Sequence, residues 1–332
     1  MTRVPYQDMF NEFLRVLLKC GFRRDRAELC ARLFADASRD GVPSHGLNRF
    51  PVFINDVRKG TVKIHSEPAL VESFGALERW DGRHGPGPLN AFFCMGRAIE
   101  LARQGGMGCV ALKNTNHWQR AGNYGWQAAE AGCVGICWTN TMALMPPWGA
   151  RERRLGNNPL VIAVPRPGGH VVLDMAISQF SGGKVQIHRT SGEPLPVEGG
   201  YNREGRLTRD ANEIAESQRP LPIGYWKGSG LALMLDLVVA LLSGGLATHQ
   251  IGKLTETSVS QVFMAFDLAR LAPGSLAARV VNDVVDNFHA AGPVGENSKV
   301  LYPGERSLAA RRENLELGIP VEPSLWQKVK EL

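Results

Sequence analysis

Residues 107–140 read MGCVALKNTNHWQRAGNYGWQAAEAGCVGICWTN, and this stretch decides the architecture. Met107 to Lys113 is a short, almost unbroken apolar run of the kind that forms a buried strand. Tyr124 to Ala131 has helical spacing, and Val134 to Thr139 returns to strand character. A strand, a helix and a second strand in succession predict the α/β class. Upstream, Leu77 to Asp81 suggests a short strand, and Pro88, at home in a first helical turn, opens a helix running to Gln104. Gly105-Gly106-Met107-Gly108 then reads as the turn from that helix into the Met107 strand. Downstream, Leu160 to Val164, Val171 to Met175 and Val259 to Asp267 read as strands, and Leu276 to Ala290 as a helix. Gly228 to Leu242 predicts a strongly apolar helix, expected to be buried on most sides.

Both ends of the chain are helical instead. Phe10, Phe13, Leu14, Leu17 and Leu18 recur at helical spacing until Gly21 stops them. A second helix begins near Asp25 and ends at Asp40-Gly41, where Val42-Pro43 forces an extended turn. A third carries Phe50, Phe53, Ile54 and Val57 on one side, and short helices return after Arg306. The expected organisation is a discontinuous helical domain, 1–70 plus 290–332, and a central α/β domain, 71–289. The polar stretch from Arg189 to Arg219 is expected to be a surface excursion.

Composition narrows the function classes. In a chain of 332 residues, 44% hydrophobic and 21% charged content exclude a disordered or fibrous protein. The formal charge of +6 is spread among acids with no basic run, so nucleic acid is not an expected partner. The apolar run Leu231 to Leu242 is short and interrupted by Asp236, so no membrane span is expected. The six cysteines form no CxxC pair and sit in apolar surroundings. Met1 to Phe10 is mostly polar and does not read as an export signal, so a cytoplasmic protein with free thiols is expected.

Two of the eight histidines stand in contexts that ask for explanation. His45 lies in a tight loop between helices, with Arg49 four residues on, at the start of the next helix. That spacing can bring both to one face near a positive helix end. A guanidinium beside an imidazole suits a carboxylate with an adjacent carbonyl: arginine holds the carboxylate through two parallel bonds while histidine gives a proton to the reduced oxygen. The same residues are compatible with a histidine capping a backbone carbonyl and an arginine pairing an acid. His117, in Asn116-His117-Trp118, follows the Met107 strand, and ligands of α/β proteins gather at the carboxyl ends of strands. It could equally fix the loop through its neighbouring asparagines. No HExxH, zinc-spaced Cys/His pair, calcium loop or GxSxG elbow occurs, so neither a metal nor a serine hydrolase is expected.

Neither GxGxxG nor the Walker pattern appears, so a bound dinucleotide would not use the usual Rossmann turn. Candidate phosphate and ribose contacts are Asp174 at a strand end, the Trp226-Lys227-Gly228 turn opening a helix, and Pro303-Gly304-Glu305-Arg306.

Five segments together carry a resemblance: Ser44-His45-Gly46-Leu47-Asn48-Arg49-Phe50, Asn116-His117-Trp118, Cys137-Trp138-Thr139-Asn140, Pro146-Pro147-Trp148-Gly149 and Gly224-Tyr225-Trp226-Lys227-Gly228-Ser229-Gly230. The chain resembles the malate/L-lactate dehydrogenase-like oxidoreductases along nearly its whole length, most specifically from Asn116 to Gly149. The resemblance implies a non-Rossmann fold, a helical domain on a mixed sheet, with nicotinamide bound without GxGxxG. It also implies a homodimer with the active site near the domain boundary. By the same resemblance His45 is the proton donor and Arg49 the carboxylate ligand, while His117 lines the pocket as a second acid/base candidate. The segment His170, Val171, Val172, Leu173, Asp174, Met175, Ala176, the pair Trp226 and Lys227, and Gly304, Glu305 and Arg306 look like cofactor contacts. The implied activity is NADH-dependent reduction of the 2-oxo group of a small anionic sugar acid. Alternatives are a relative acting on another 2-oxo acid, a 2-hydroxy acid or a cyclic imine, or a non-catalytic sugar-acid-binding protein. Gly156-Asn157-Asn158-Pro159 and the residues after Asp174 depart from the broad family pattern near the cofactor stretches, so NADPH stays open beside NADH.

Overall fold

The computed structural model describes residues 2–252, 256–272, 274–295 and 298–332. After strand β1 (Thr2–Val4) come helices α1 (Tyr6–Lys19), α2 (Arg24–Arg39) and α3 (Phe50–Arg58), with a single 3-10 turn over Pro43–His45 before α3. The α/β portion follows as β2 (Ala69–Phe74), β3 (Leu77–Asp81), α4 (Gly87–Gly105), β4 (Met107–Thr115), α5 (Gly122–Glu130), β5 (Cys133–Thr139), β6 (Leu160–Val164) and β7 (Val171–Met175). Next are α6 (Gly182–Ser191), β8 (Gly200–Tyr201), β9 (Leu207–Thr208), α7 (Ala211–Ser217), α8 (Trp226–Ser243), β10 (Val259–Asp267), α9 (Leu268–Leu271) and α10 (Leu276–His289). The chain closes with α11 (Glu305–Leu317), β11 (Ile319–Val321) and α12 (Pro323–Lys330).

Among the described residues, the main sheet has seven strands in the order β2-β3-β4-β10-β5-β6-β7. Only β3 and β4 pair in parallel; every other neighbour is antiparallel. Because β4 and β5 both run against β10, they share a direction, and β7, two antiparallel steps from β5, shares it too. The carboxyl ends of β4, β5 and β7 therefore open on one edge of the sheet.

Helices α4 and α5 cover one face through Met95, Ala98, Tyr124 and Trp126 against Val110, Leu112 and Phe263. Val239 of α8 covers the other against Cys109, Trp138 and Val262. A separate core joins the two ends of the chain: Met9, Phe13, Leu17, Phe34, Phe50 and Ile54 pack with Ile319, Val321 and Val329. Phe13 stacks on Phe50 with ring centroids 4.2 Å apart, and β1 pairs antiparallel with β11. This is why a helical signal appears at both ends of the sequence.

The expectation that the Gly228–Leu242 helix is buried on most sides is wrong. Helix α8 fully buries only Gly228, Ala232, Val239 and Ser243, while Leu233, Met234 and Leu237 are exposed and Leu241 is 72% exposed. An apolar helix in a sequence shows that a surface avoids water, not which molecule covers it. By length and composition α8 could cross a membrane, but Asp236 in its middle accepts hydrogen bonds from Asn140 and the Thr248 N–H. The polar stretch 189–219 is an excursion with structure of its own, the β8–β9 hairpin and α7.

One buried carboxylate ties the parts together. Asp40, the C-cap of α2, is 2% exposed. It accepts from Arg39 at 2.8 Å, from Arg120 at 2.6 Å and from both Nε and Nη2 of Arg311 on α11 at 2.8 and 2.7 Å. Burial alone would raise its pKa, but the Arg311 hydrogen bonds, the Arg120 charge and Arg39 outweigh it and hold the carboxyl far below the usual range.

Candidate active site

A cavity of about 930 Å³ opens at the edge where β4, β5 and β7 end. The sheet contributes His117 to Ala121 after β4, Thr139 to Met142 at the end of β5, and Leu173, Asp174 and Ala176 around the end of β7. The helical layer contributes Val42, Ser44, His45, Arg49 and Val52. The site thus lies where the two cores meet, as ligand sites in α/β folds do.

His45 and His117 face each other across this space, their rings 5.9 Å apart and nearly parallel at 14°. His45 ends the 3-10 turn after α2, and Arg49 is the N-cap residue of α3. The Ser44 hydroxyl lies 3.1 Å from His45 Nδ1, leaving Nε2 for proton transfer. Among the described residues Arg49 forms no ion pair within 4 Å, although its charge acts on Asp56 and Glu256. His117 sits in a loop pinned by Asn116, whose side-chain N–H groups donate to the carbonyls of Gly85, His84 and Thr61. Asn116 therefore fixes the loop, and His117 is presented by it. Gly87 at the start of α4 is required for this approach, since a Cβ there would overlap the carbonyl oxygens of His117 and Asn116.

The two imidazoles differ in what they can do. His117 Nδ1 accepts the backbone N–H of Gln119 at 3.0 Å, so its single proton belongs on Nε2. Burial first, then the charges of Arg49 and His45, push its pKa well below the ordinary imidazole range. His117 is therefore neutral and a hydrogen-bond donor. His45 is also lowered, mainly by burial and further by Arg49 and Arg120, but the charge of Asp174 works in the opposite direction. Asp174 is held by the Gly122 N–H at 2.9 Å, at the positive end of α5, where a carboxylate is favoured.

Two wall groups carry no motif. Glu256 places Oε2 3.9 Å from His117 Nε2 and accepts the Met142 N–H, with its pKa raised chiefly by burial. Ser181, Gly182 and Gly183, at the N-terminus of α6, also line the cavity.

Of the cofactor candidates, Val172, Leu173, Asp174, Ala176 and Gly304 line the cavity. His170 instead accepts the Arg166 N–H, Val171 and Met175 lie outside the lining, and Glu305 bonds His289. Arg306 is exposed, and Trp226, 65% exposed, and Lys227 lie at the start of α8, away from the lining. Among the described residues no cluster of His, Cys, Asp or Glu could hold a metal ion.

A guanidinium with no ion pair among the described residues and two facing imidazoles in one cavity can hold a carboxylate and donate to the oxygen of an adjacent carbonyl. The malate/L-lactate dehydrogenase family model matches residues 4–330. The chain is 46% identical over 332 residues to the 2,3-diketo-L-gulonate reductase of Pasteurella multocida, covering 99% of this chain and 100% of the relative. With the 2,3-diketo-L-gulonate reductase of Mannheimia succiniciproducens it shares 44% identity at the same coverage. The solved sulfolactate dehydrogenase from Methanocaldococcus jannaschii superposes with a TM-score of 0.92 at 27% identity, over 99% of this chain and 96% of that one. Fold and site together define an oxidoreductase acting on 2-oxo or 2-hydroxy acids. The chain belongs to the malate/L-lactate dehydrogenase family.

Dehydrogenase chemistry implies a nicotinamide cofactor, and the residues present fit one. The cavity has the size of a ligand site, and Gly182, Gly183 and Gly304 line it at the starts of α6 and α11, where no side chain keeps a ligand from the backbone.

Proposed function

We propose that the protein reduces the 2-oxo group of 2,3-diketo-L-gulonate with NADH, giving 3-dehydro-L-gulonate. The observation that carries this reading is the convergence of His45, Arg49 and His117 on one cavity, in a chain similar over its whole length to reductases of that acid. The nicotinamide would supply the hydride, bounded by Val172, Leu173, Asp174, Ala176 and Gly304. Arg49 holds the substrate carboxylate in its planar fork. His117 donates its Nε2 proton as a hydrogen bond to the 2-oxo oxygen and keeps it. His45 delivers its proton to that oxygen as charge develops there.

Binding and proton transfer are coupled in this arrangement. The positive charge of Arg49 depresses the proton affinity of His45. A carboxylate docked on Arg49 offsets that charge, so the substrate arms its own acid.

The test is purified protein offered NADH and then NADPH with 2,3-diketo-L-gulonate, simple 2-oxo acids and a cyclic imine, and the oxidised cofactors with 2-hydroxy acids. Loss of NADH absorbance that is fastest with the diketo acid supports the proposal; tight binding of the acid with no oxidation of either cofactor defeats it. Arg49→Lys is expected to raise KM for the acid roughly tenfold or more with kcat much less affected, because an ammonium cannot reproduce the two-bond fork. An unchanged KM removes the carboxylate role.

The exposed apolar face of α8 and the exposed Leu276, Val280, Val284 and Phe288 of α10 support a homodimer burying them. The two separate cores support the division into 1–70 plus 290–332 and 71–289. Six unbridged thiols fit a reducing, cytoplasmic setting.

A further inference from the structure

Arg120 stands in the loop between β4 and α5 and lines the same cavity as His45, Arg49 and His117. It is 3% exposed. Its Nη1 donates to Asp40 at 2.6 Å, and that carboxylate is already shared with Arg39 and Arg311. Arg39 also pairs with Asp36, so two carboxylates face three guanidiniums and Arg120 is only partly neutralised. Its buried Nε has no hydrogen-bond partner among the described residues. That Nε is sealed from the cavity, whereas Nη2 makes no hydrogen bond among the described residues and is not sealed, so Nη2 is the edge of the guanidinium that a ligand can meet. Arg120 also sits near enough to the reacting end for its charge, like that of Arg49, to act on His45. On the same loop, Gln119 lines the same cavity.

We propose that Arg120 is a second substrate-binding guanidinium, pinned by Asp40 so that it meets an oxygen on C3 and selects 2-oxo acids that carry a carbonyl or hydroxyl there. The inference rests on the proposed reductase activity and deepens it. A plain 2-oxo acid needs one guanidinium for its carboxylate and one donor for its oxo group, which Arg49 and His117 supply. A second fixed guanidinium is redundant for such a substrate and useful for one with a further oxygen. A cofactor phosphate is the less suitable occupant, because Asp40 lies against the same guanidinium and repels a polyanion.

The experiment compares wild type with Arg120→Met and Arg120→Lys, measuring kcat/KM for 2,3-diketo-L-gulonate and for 2-oxobutanoate, which has no oxygen on C3. The ratio of the two values is expected to fall roughly ten- to a hundredfold in both variants, as for a lost hydrogen bond from a charged group, with the NADH dissociation constant unchanged. A ratio that stays at the wild-type value overturns the proposal, as does a weakening of NADH binding that accounts for the whole loss. If Arg120→Met loses its circular-dichroism signature of folding, Arg120→Lys gives the same comparison with the charge retained. If wild type oxidises neither cofactor, the reductase reading fails, and calorimetric binding of the two acids to wild type and variants decides the Arg120 assignment separately. There, a preference for the diketo acid that disappears in the variants supports it, and no preference in wild type rejects it.

Discussion

Replacing His45 with alanine is expected to lower kcat by about a hundred- to ten-thousandfold, the range a positioned acid contributes, while the NADH dissociation constant stays near wild type. The variant removes the imidazole that can carry a second proton and leaves the wall of Val172, Leu173, Asp174, Ala176 and Gly304 intact. Steady-state rates and a fluorescence titration with NADH check both halves, and turnover near wild type would show that His45 is not the acid. The pH profile sharpens the assignment. In the free enzyme His45 binds its proton less tightly than ordinary imidazole, because of burial and then Arg49 and Arg120, with Asp174 opposing. Reduction needs the protonated ring, so kcat/KM should fall as pH rises through that lowered pKa. A carboxylate on Arg49 raises the proton affinity in the complex, so kcat should fall at a higher pH than kcat/KM does. Coincident limbs would break the coupling between binding and proton transfer.

Asp40→Asn is expected to cost about 3–5 kcal/mol of folding stability, measured by urea unfolding at neutral pH. Asparagine keeps the shape of the side chain but takes the shared counter-charge from Arg120 and Arg311, while Arg39 keeps Asp36. These arginines come from α2, the loop before α5 and α11, so the damage reaches both cores. The pH dependence follows from the direction of the Asp40 shift. A carboxyl held below its unfolded value stabilises the protein fully above about pH 4, the ordinary aspartate range, and loses that contribution as pH falls further. The gap between wild type and Asp40→Asn should therefore narrow in acid. A loss below about 1 kcal/mol at neutral pH would mean the cluster behaves like an exposed ion pair.

The regular elements of the central sheet were legible because their residues obey simple periods. Leu77–Asp81, Leu160–Val164, Val171–Met175 and Val259–Asp267 form strands with the expected bounds. What escaped reading depends on distance or context. Strand β2 exposes Leu70, Val71 and Phe74, so it lacks the alternation that marks a half-buried strand. Strands β1 and β11 are three residues each and exist only because the two chain ends meet. Helix α6 opens with Gly182-Gly183, which reads as loop. In the site, His45 and His117 were visible because a histidine beside helix and strand ends is conspicuous. Arg120 and Glu256 were not, because one reads as a loop charge and the other as part of a polar segment. Only folding turns the first into a buried, half-satisfied guanidinium and sets the second 3.9 Å from His117.

The most direct measurement follows the hydride itself. Purified protein is given NADH deuterated at the transferred position of the nicotinamide ring together with 2,3-diketo-L-gulonate, and the product is read by mass spectrometry and NMR. A carboxylate fixed on Arg49 and an oxo oxygen set between His45 and His117 require deuterium at C2 of the product. Deuterium at C3, or NADH consumed with none in the acid, would contradict the arrangement of these three side chains around the reacting carbonyl.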